Sequence, residues 1–456
     1  MIMNRETIRN AIYQKYITPT QRKTKDYVGV EFELPIVNLN KEPVDFDVIH
    51  ALAKAFVNHF AFDKTMMDDN GNIYSALKTE NGDDLSFDCS YNTLELSFGK
   101  VSDLNLIHLR FKEYYAFIQG FLASYQHTLT GMGINPYREY NLKSPIANER
   151  YRMLFHHLKS YPKYNGDFHS YPDFGLFAAA NQVQIDVEQR DITKVINTFY
   201  LLEPIKAIIF ANSPLEDMLC SRDFLWKKSL HGFNPKNVDG YERPLKNTED
   251  IISYIESMSL YCVMRNGRYI NFAPTPLDEY FAKESIEGEF FNGNEYEAIT
   301  FAPEIEDLQF LRSFKFEDLT FRGTVEFRSV CTQPVKEIMT SPAFHAGLMN
   351  KLDELREILT NDTVLYHHSL CADELREIIN KGAFPDFADK EKVKELLYRI
   401  IDLSAAGLKE RGYNEEHFLT PLYHRANHLF SPAKQMIDGI NSGVDLEYYI
   451  KEYAEI

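Results

Sequence analysis

Two glutamates separated by a single residue, Glu31 and Glu33, are the first candidates for chemistry in this sequence. They belong to residues 28–35 (Val-Gly-Val-Glu-Phe-Glu-Leu-Pro), in which apolar and polar positions alternate. Such alternation predicts a half-buried β-strand, and side chains two residues apart in a strand lie on the same face. Two neighbouring carboxylates repel each other, so on a partly enclosed face a divalent cation would compensate their charge. The alternative is a pair of solvated glutamates on an edge strand.

Three further stretches share this design, with one apolar face and one polar face. They are residues 93–98, 177–187 and 324–330, and each predicts a strand. Their polar positions are Glu95 in the first stretch, Gln182 and Gln184 in the second, and Glu326 and Arg328 in the third. Asp88 lies shortly before the first stretch. If these strands joined residues 28–35 in one sheet, their polar side chains would line one face above a packed apolar back.

Such a face would suit a hard cation and phosphate chemistry. Oxygen ligands without a cysteine or histidine cluster favour Mg²⁺ or Mn²⁺, and Mg²⁺ held by few carboxylates completes its shell with water and substrate phosphates. Arg328 beside the cluster would stabilise a phosphoryl group during transfer. The sequence has no Gly-x-x-x-x-Gly-Lys-Ser/Thr loop to hold a phosphate. The plainer interpretations are a same-face ion pair between Glu326 and Arg328, and glutamines that only bond within the sheet.

The composition excludes several classes of partner. The chain has 456 residues, of which 44% are hydrophobic and 25% charged, and this is typical of a globular protein. Its net charge of −18 argues against nucleic acid or an anionic membrane as the main partner. Five cysteines without a Cys-x-x-Cys pair fit a reducing, cytoplasmic compartment and no structural zinc. No secretory signal is recognisable in residues 1–25, and no stretch is long and apolar enough for a membrane span.

Helices are predicted between and after these strands. The pattern favours helices over residues 4–16, 45–62, 102–125 and 192–210, and a mostly helical chain after Pro334, notably over residues 343–359, 389–409 and 431–440. Ser102 is the predicted N-cap of the third helix. Residues 68–86, rich in Asn, Gly and Asp, predict a loop or an irregular hairpin. Residues 216–300 predict a mixed, loop-rich region.

Four short motifs resemble those of the glutamate–cysteine ligases. They are Gly-Val-Glu-Phe-Glu (29–33), Gln-Val-Gln-Ile-Asp (182–186), Ala-Asn-Ser-Pro (211–214) and Glu-Phe-Arg-Ser (326–329). They follow the family's order between residues 28 and 333, and the resemblance extends loosely to Ser-Pro-Ala at 431–433. The match is best to the branch shared by plants and many bacteria, within the carboxylate–amine ligases of glutamine-synthetase-like fold.

The resemblance implies a fold and a reaction. The fold would be α+β, with a curved antiparallel sheet that has a polar concave face, is backed by helices and is followed by a helical C-terminal region. Residues 1–335 would form the catalytic core, and residues 336–456 would pack on it. ATP with Mg²⁺ would convert the γ-carboxylate of L-glutamate into an acyl phosphate, which the L-cysteine amine would attack to give γ-glutamylcysteine, the first step of glutathione biosynthesis. The alternatives are a γ-glutamyl ligase with another amine acceptor and a catalytically silent metabolite-binding relative. A monomer and a homodimer both remain open.

The resemblance also assigns roles to individual residues. The metal ligands would be Glu31, Glu33, Asp88, Glu95, Gln182 and Glu326. Glu326 and Arg328 would act at the migrating phosphoryl group, while Arg222, Arg150 and Gln184 would bind substrate, the two arginines through the glutamate α-carboxylate. The sequence departs from the family pattern twice. Position 88 is usually a glutamate in the family, and the shorter aspartate would weaken one metal site. Residues 227–241 lack an arginine that family members often carry, which leaves the acceptor amine open.

Overall fold

A computed structural model describes residues 3–21, 27–160, 173–227 and 234–456. The strands in these ranges are β1 (Val28–Asn38), β2 (Lys64–Met67), β3 (Ile73–Lys78), β4 (Asp83–Phe87), β5 (Thr93–Val101), β6 (His127–Leu129), β7 (Asn181–Asp186), β8 (Val238–Asp239), β9 (Ser259–Arg265), β10 (Arg268–Pro276), β11 (Ile286–Phe291), β12 (Tyr296–Phe301), β13 (Phe314–Lys315), β14 (Glu317–Leu319) and β15 (Thr324–Phe327).

Helices account for about half of the remaining described chain. They are α1 (Arg5–Ile12), α2 (Phe46–Phe60), α3 (Leu104–Ala123), α4 (Glu149–Lys159), α5 (Ile192–Phe210), α6 (Ser221–Leu225), α7 (Thr248–Glu256), α8 (Leu277–Phe281), α9 (Thr340–Asn350), α10 (Leu352–Asn361), α11 (Ala372–Asn380), α12 (Lys390–Arg411), α13 (Thr420–His428), α14 (Pro432–Asn441) and α15 (Leu446–Glu452). Helix α5 has the predicted bounds. Helix α3 begins one residue later than predicted, because Asp103 caps it by accepting from the Asn105 backbone N–H (2.8 Å).

A large antiparallel sheet organises the molecule. Its strands follow the order β14-β15-β7-β1-β5-β4-β3-β2, and β6 pairs with the far end of β1. The four strands predicted from alternating residues are therefore direct neighbours at its centre, in the order β15-β7-β1-β5. The predicted α+β architecture, an antiparallel sheet backed by helices, is confirmed.

The apolar residues between the polar positions form the back of this sheet. Phe32, between the two glutamates, packs edge to face against Phe111 of α3, with ring centroids 5.3 Å apart. Phe327, between Glu326 and Arg328, packs against Phe199 of α5 at 4.4 Å. Because alternate side chains of a strand point to opposite faces, these contacts leave the carboxylates on the face away from α3 and α5.

Two regions were predicted only in outline. Residues 68–86 adopt the hairpin alternative of the prediction, since β3 and β4 pair antiparallel and extend the large sheet. The turns fall at Gly71 and Gly82, which both have positive φ. The polar composition of this region is typical of turns, and it did not indicate the bounds of the short strands beside them. The region after residue 216 contains a second antiparallel sheet, ordered β12-β11-β10-β9.

The C-terminal helices share the core of the sheet. One hydrophobic cluster includes Phe32 of β1, Phe344 of α9 and Leu397 of α12. The predicted helix over residues 343–359 is divided at Lys351 into α9 and α10. Among the described residues, no helix has both the length and the apolar character required to cross a membrane. The division of the chain at residue 335 stays a prediction.

Candidate active site

A cavity of about 570 Å³ lies over the polar face of the large sheet. Its lining includes nine of the ten residues predicted for the site, namely Glu31, Glu33, Asp88, Glu95, Arg150, Gln182, Arg222, Glu326 and Arg328. The tenth, Gln184, is hydrogen-bonded to two of these carboxylates. Further lining residues come from α4 and from β9 and β10, including Tyr151, Tyr261 and Tyr269. The structure thus brings every predicted site residue to one place.

Strand register explains this convergence. Glu33 of β1 lies opposite Glu95 of β5, and Glu31 lies opposite Gln182 of β7. Gln184 in turn lies opposite Glu326 of β15. Directly opposite residues of antiparallel strands carry their side chains on the same face about 5 Å apart. Three pairings across four strands are therefore sufficient to gather carboxylates that are almost 300 residues apart in the chain.

Gln184 joins the carboxylates of two different strands. Its Nε2 donates to Oε1 of Glu31 (2.8 Å) and to Oε1 of Glu326 (3.0 Å). Its Oε1 accepts from Nε of Arg322 (3.0 Å). Arg328 completes the group, since its Nη1 donates to Oε2 of Glu326 (2.7 Å). Gln184 therefore holds two carboxylates in place, and its predicted role in substrate binding stays a prediction.

Glu33 is held by a separate set of contacts. Its Oε1 accepts from Nε2 of Gln182 and its Oε2 from the Ala180 backbone N–H, both at 2.7 Å. Its backbone carbonyl accepts from the Thr332 hydroxyl at 2.6 Å. Glu95, across the strand pair, accepts from the Ser97 hydroxyl at 2.6 Å. The two hydrogen bonds to its carboxylate oxygens leave the Glu33 side chain little rotational freedom.

Crowding and burial perturb the acids of this face. Burial, together with the charge of Asp88, raises the pKa of Glu33 to about 8 against the opposing effect of Arg222. Burial and the charges of Glu33 and Asp88 likewise raise the pKa of Glu95 to about 8. Burial and the charge of Glu326 hold the pKa of Glu31 well above its ordinary range. These acids repel one another when they are ionised, and a cation would relieve that repulsion.

The donor set fits a hard metal ion with few protein ligands. Carboxylate and amide oxygens are the ligands that Mg²⁺ and Mn²⁺ prefer. Oε1 of Gln182 is buried and has no hydrogen-bond partner among the described residues, so it remains free to serve as a ligand. Within the same ranges, however, no three His, Cys, Asp or Glu side chains stand close enough together to hold a metal by themselves. Substrate and water oxygens would have to complete the shell, and the predicted ligand set stays a prediction.

Two buried guanidinium groups each have one nitrogen without a hydrogen-bond partner among the described residues. In the part of the chain that the structure describes, Nη1 of Arg222 and Nε of Arg328 are buried without a hydrogen-bond acceptor. Arg222 itself is 3% exposed, and its guanidinium lies 5.6 Å from the centre of the Trp226 ring. A buried, unpaired arginine is costly unless an anion binds it. Arg150 lines the same cavity, with its guanidinium 5.4 Å from the Tyr151 ring.

Sequence reasoning missed two further arginines of the cavity, Arg312 and Arg322. Arg322 lies an even number of residues before Glu326 and Arg328. Extending the alternation of the fourth strand by two residues towards the N-terminus would therefore have predicted Arg322 on the same face. Gly323, with φ +81°, forms the turn that brings Arg322 over the sheet. Arg312 precedes β13 in a segment without alternation, and nothing local in the sequence marks it.

The fold and the cavity define an α+β protein with a carboxylate- and arginine-lined antiparallel sheet, and its sequence relatives are glutamate–cysteine ligases. No family model matches the chain. It is 25% identical over 271 residues to the chloroplastic glutamate–cysteine ligase A of Oryza sativa subsp. indica, a match that covers 56% of this chain and 51% of the relative. It is 22% identical over 435 residues to the chloroplastic glutamate–cysteine ligase of Medicago truncatula, covering 91% of this chain and 79% of the relative.

The resemblance inferred from the four motifs is confirmed by these relatives, although the first matches span only about half of the relatives' length. Among solved structures, the chain is similar to a glutamate–cysteine ligase from Francisella tularensis in complex with AMP. That match has 11% identity and a TM-score of 0.48, and covers 95% of this chain and 88% of the other. A bifunctional glutathione synthetase from Pasteurella multocida matches with 10% identity and a TM-score of 0.44, over 99% of this chain and 53% of the other.

Proposed function

We propose that the chain is an ATP-dependent glutamate–cysteine ligase. It would join the γ-carboxylate of L-glutamate to the amine of L-cysteine and release ADP and phosphate. The observation that carries this proposal is the register of β15, β7, β1 and β5, which brings polar residues of three separate motifs, together with Glu95, into one cavity. The curated relatives carry the same name.

The arginines account for recognition of the anionic groups. Arg222, buried and without a hydrogen-bond acceptor at Nη1 among the described residues, would bind the α-carboxylate of glutamate, with Arg150 as the second contact. Guanidinium suits this role because it can bind a carboxylate through two parallel hydrogen bonds. Arg328, fixed by Glu326, would face the phosphoryl group during transfer and stabilise the charge that develops there.

The acids of the polar face, together with Gln182, are the proposed metal ligands. Glu31, Glu33, Asp88, Glu95, Gln182 and Glu326 would hold Mg²⁺ or Mn²⁺, which when bound supplies positive charge to the phosphates of ATP. Gln184 would keep Glu31 and Glu326 at a fixed separation in all states of the cycle. The raised pKa values of Glu33 and Glu95 describe the face without a cation, and cation binding would favour their ionised forms.

The reaction would proceed in two transfers that balance in atoms and charge. An oxygen of the glutamate γ-carboxylate bonds to the terminal phosphorus of ATP, and the bond to the ADP oxygen breaks. The cysteine nitrogen then bonds to the γ-carbonyl carbon, and the carbon–oxygen bond to phosphate breaks. The proton that the amine loses leaves with phosphate or water. Holding both reactants in one cavity converts the second step into an intramolecular reaction.

The test is phosphate release from ATP and Mg²⁺ with L-glutamate, in the presence and absence of L-cysteine. Release that requires both amino acids supports the proposal, and EDTA must abolish it. A panel of other amines runs alongside because Asp88 and the absence of arginine from residues 227–241 depart from the family pattern. Release with glutamate and a different amine would identify a sibling γ-glutamyl ligase. No release with any amine would favour a silent metabolite-binding relative.

The cellular setting belongs to the same proposal. We place the protein in a reducing, cytoplasmic environment because its five cysteines form no Cys-x-x-Cys pair. Small molecules are its proposed partners, and neither nucleic acid nor a membrane surface suits its charge of −18. Whether the working unit is a monomer or a homodimer can be decided by light scattering.

A further inference from the structure

A buried arginine outside the predicted catalytic core connects the segments that carry Arg222 and Arg328. Arg376 lies on α11 and is 4% exposed. Its guanidinium bonds to Asp223, the neighbour of Arg222, and to the backbone of Ser329, the neighbour of Arg328. We propose that Arg376 is a positioning residue that sets the separation between Arg222 and Arg328.

The contact with Asp223 is made at two points. Nε of Arg376 donates to Oδ2 of Asp223 at 2.6 Å, and Nη2 donates to Oδ1 at 3.1 Å. Asn380, one turn further along α11, donates to the same Oδ2 at 2.6 Å. The charge of Arg376 keeps the pKa of Asp223 below its ordinary range, although burial acts in the opposite direction. The pair therefore remains charged and closely held at all pH values near neutrality.

Helix α6 depends on this contact for its position. It has only five residues, Ser221–Leu225, and a helix of one turn has little stability of its own. The start of the helix is also held to Ser213, whose hydroxyl accepts from the Arg222 backbone N–H at 3.2 Å and whose carbonyl accepts from the Ser221 hydroxyl at 2.6 Å. Asp223 is the residue of α6 that α11 holds, so the orientation of Arg222 follows the position of α11.

The same guanidinium group also contacts the segment that carries Arg328. Nη2 donates to the Ser329 carbonyl at 3.3 Å, and Nη1 donates to the Glu203 carbonyl at 2.8 Å. The Glu203 carboxylate lies 2.9 Å from Nη1 and also accepts from the Ser329 hydroxyl at 3.0 Å. One planar group thereby fixes α6, the end of β15 and α5 relative to one another. A lysine has the charge but cannot reproduce this geometry.

This separation matters only under the function proposed above. Arg222 would bind the glutamate α-carboxylate, and Arg328 would face the phosphoryl group that reaches the γ-carboxylate of the same molecule. The two arginines would then act on opposite ends of one small substrate. A displacement of about 1 Å in such an arrangement can cost on the order of 100-fold in rate.

The test compares Arg376→Lys with Arg425→Lys. Arg425 is another buried arginine of the C-terminal helices, 2% exposed, and it bonds to the Ile209 carbonyl, Gln333 and Glu337. Both changes remove a guanidinium fork from the core, so both should lower the melting temperature. Only Arg376→Lys should raise the KM for glutamate, by about 10-fold, the equivalent of ~1.4 kcal/mol. The KM for ATP should change less than twofold.

A milder variant guards against loss of folding. Asn380→Ala removes one of the bonds to Asp223 and leaves the Arg376 fork intact. We expect a smaller rise in the glutamate KM, about threefold, with the ATP KM unchanged. Equal effects of Arg376→Lys and Arg425→Lys on the glutamate KM would overturn the positioning role, as would an unchanged glutamate KM in Asn380→Ala.

Wild-type measurements separate this proposal from the proposed function. Glutamate binding is measured by calorimetry in the presence of a non-hydrolysable ATP analogue and Mg²⁺, next to the turnover assay. The wild-type protein could bind and use glutamate while the Arg376 and Asn380 variants behave like the Arg425 control. That result would refute the role of Arg376 and leave the proposed function intact. Wild-type protein that neither binds nor uses glutamate refutes both proposals.

Discussion

Gln184 shows how a single neutral side chain organises the charges of this site. Its amide nitrogen donates to two carboxylates, and its oxygen accepts from Arg322. The side chain is 9% exposed, and these three bonds occupy both ends of the amide. A glutamate here would add a third buried acid, whereas a leucine would remove the Gln184 bond to Glu31 and leave Glu326 with Arg328 alone. The functional carboxylates are thus positioned by a residue that need not react.

Glu326 is the residue whose change should separate chemistry from folding. Glu326→Gln keeps the size of the side chain and removes one buried charge, so we expect a similar melting temperature and a loss of ATP turnover of about 100-fold or more. Phosphate release and thermal unfolding measure the two effects. The control is Glu287→Gln on β11, where the side chain is exposed. Wild-type turnover in Glu326→Gln would show that the site is assigned incorrectly.

Arg222 should control affinity for glutamate more than affinity for ATP. Removal of a charged hydrogen bond to a bound carboxylate costs roughly 1.5–3 kcal/mol, so Arg222→Ala should raise the glutamate KM about 10- to 100-fold. Steady-state kinetics with each substrate varied in turn provides the comparison. Arg190→Ala is the control, because that side chain is 77% exposed. Equal increases in both KM values would remove Arg222 from the glutamate pocket.

At the scale of elements, β1 is the strand on which the site depends. It pairs with β7 on one side and with β5 on the other, and it contributes Glu31 and Glu33 to the cavity. Its apolar residues are buried against the helices behind the sheet, which prevents the strand from sliding. A shift of one residue would exchange the glutamates with Phe32 and bury charge in the core. The position of the acids is therefore enforced by the apolar back of the same strand.

The acids of this sheet predict a pH dependence of stability without divalent cations. The folded chain keeps protons on Glu33 and Glu95 up to about pH 8, whereas the unfolded chain loses them near pH 4.5. Stability from these groups is therefore present below pH 4.5 and is lost as the pH rises towards 8. In EDTA, the melting temperature of Glu33→Gln should exceed that of the wild type by more at pH 8 than at pH 5.

Magnesium should reverse this dependence. A cation bound to the ionised acids stabilises the folded state, and its effect should be larger at pH 8 than at pH 5 because fewer protons compete. Differential scanning calorimetry with and without Mg²⁺ at the two pH values gives the comparison. If Mg²⁺ stabilised wild type and Glu33→Gln equally at both pH values, the acids of β1 would not bind it.

At the scale of the whole molecule, the C-terminal helices support the sheet directly. Helix α9 packs against β7 and β1, and α12 packs against α9. The two helices approach most closely at Gly347 and Gly407, where a side chain on Gly407 would come within 2.0 Å of the Gly347 carbonyl oxygen. Residues beyond 335 are therefore part of the layer on which the site rests, and α11 contributes Arg376 from the same region.

The close crossing of α9 and α12 predicts a large effect from one methyl group. Gly407→Ala must push the helices apart, and overpacking of this kind costs about 1–3 kcal/mol in the free energy of unfolding. Denaturant unfolding should show this loss in a single transition, because the core is continuous. Gly120→Ala on α3, with no other atom within 4 Å of the new carbon, should instead be neutral or slightly stabilising. Separate transitions for the two parts of the chain would contradict a shared core.

The sequence by itself determined which residues share a face. Glu31 with Glu33, Gln182 with Gln184, and Glu326 with Arg328 were predicted correctly because the alternation of a strand is a local property of the chain. The helix over residues 192–210 was predicted for the same reason, since its bounds depend on nearby residues. The resemblance to a known family supplied what periodicity could not, namely that the four strands belong to one site.

Only the tertiary structure decided which distant segments meet. Arg376 and Asp223 are 153 residues apart, and the Sγ atoms of Cys220 and Cys331, 111 residues apart, lie 3.5 Å from each other. Arg312 reaches the cavity from a segment without any repeating pattern. Such contacts depend on the path of the whole backbone and on how helices stack behind the sheet. Local spacing contains no information on that path. The acids of the site could therefore be predicted from the sequence, whereas the groups that hold its arginines in place could not.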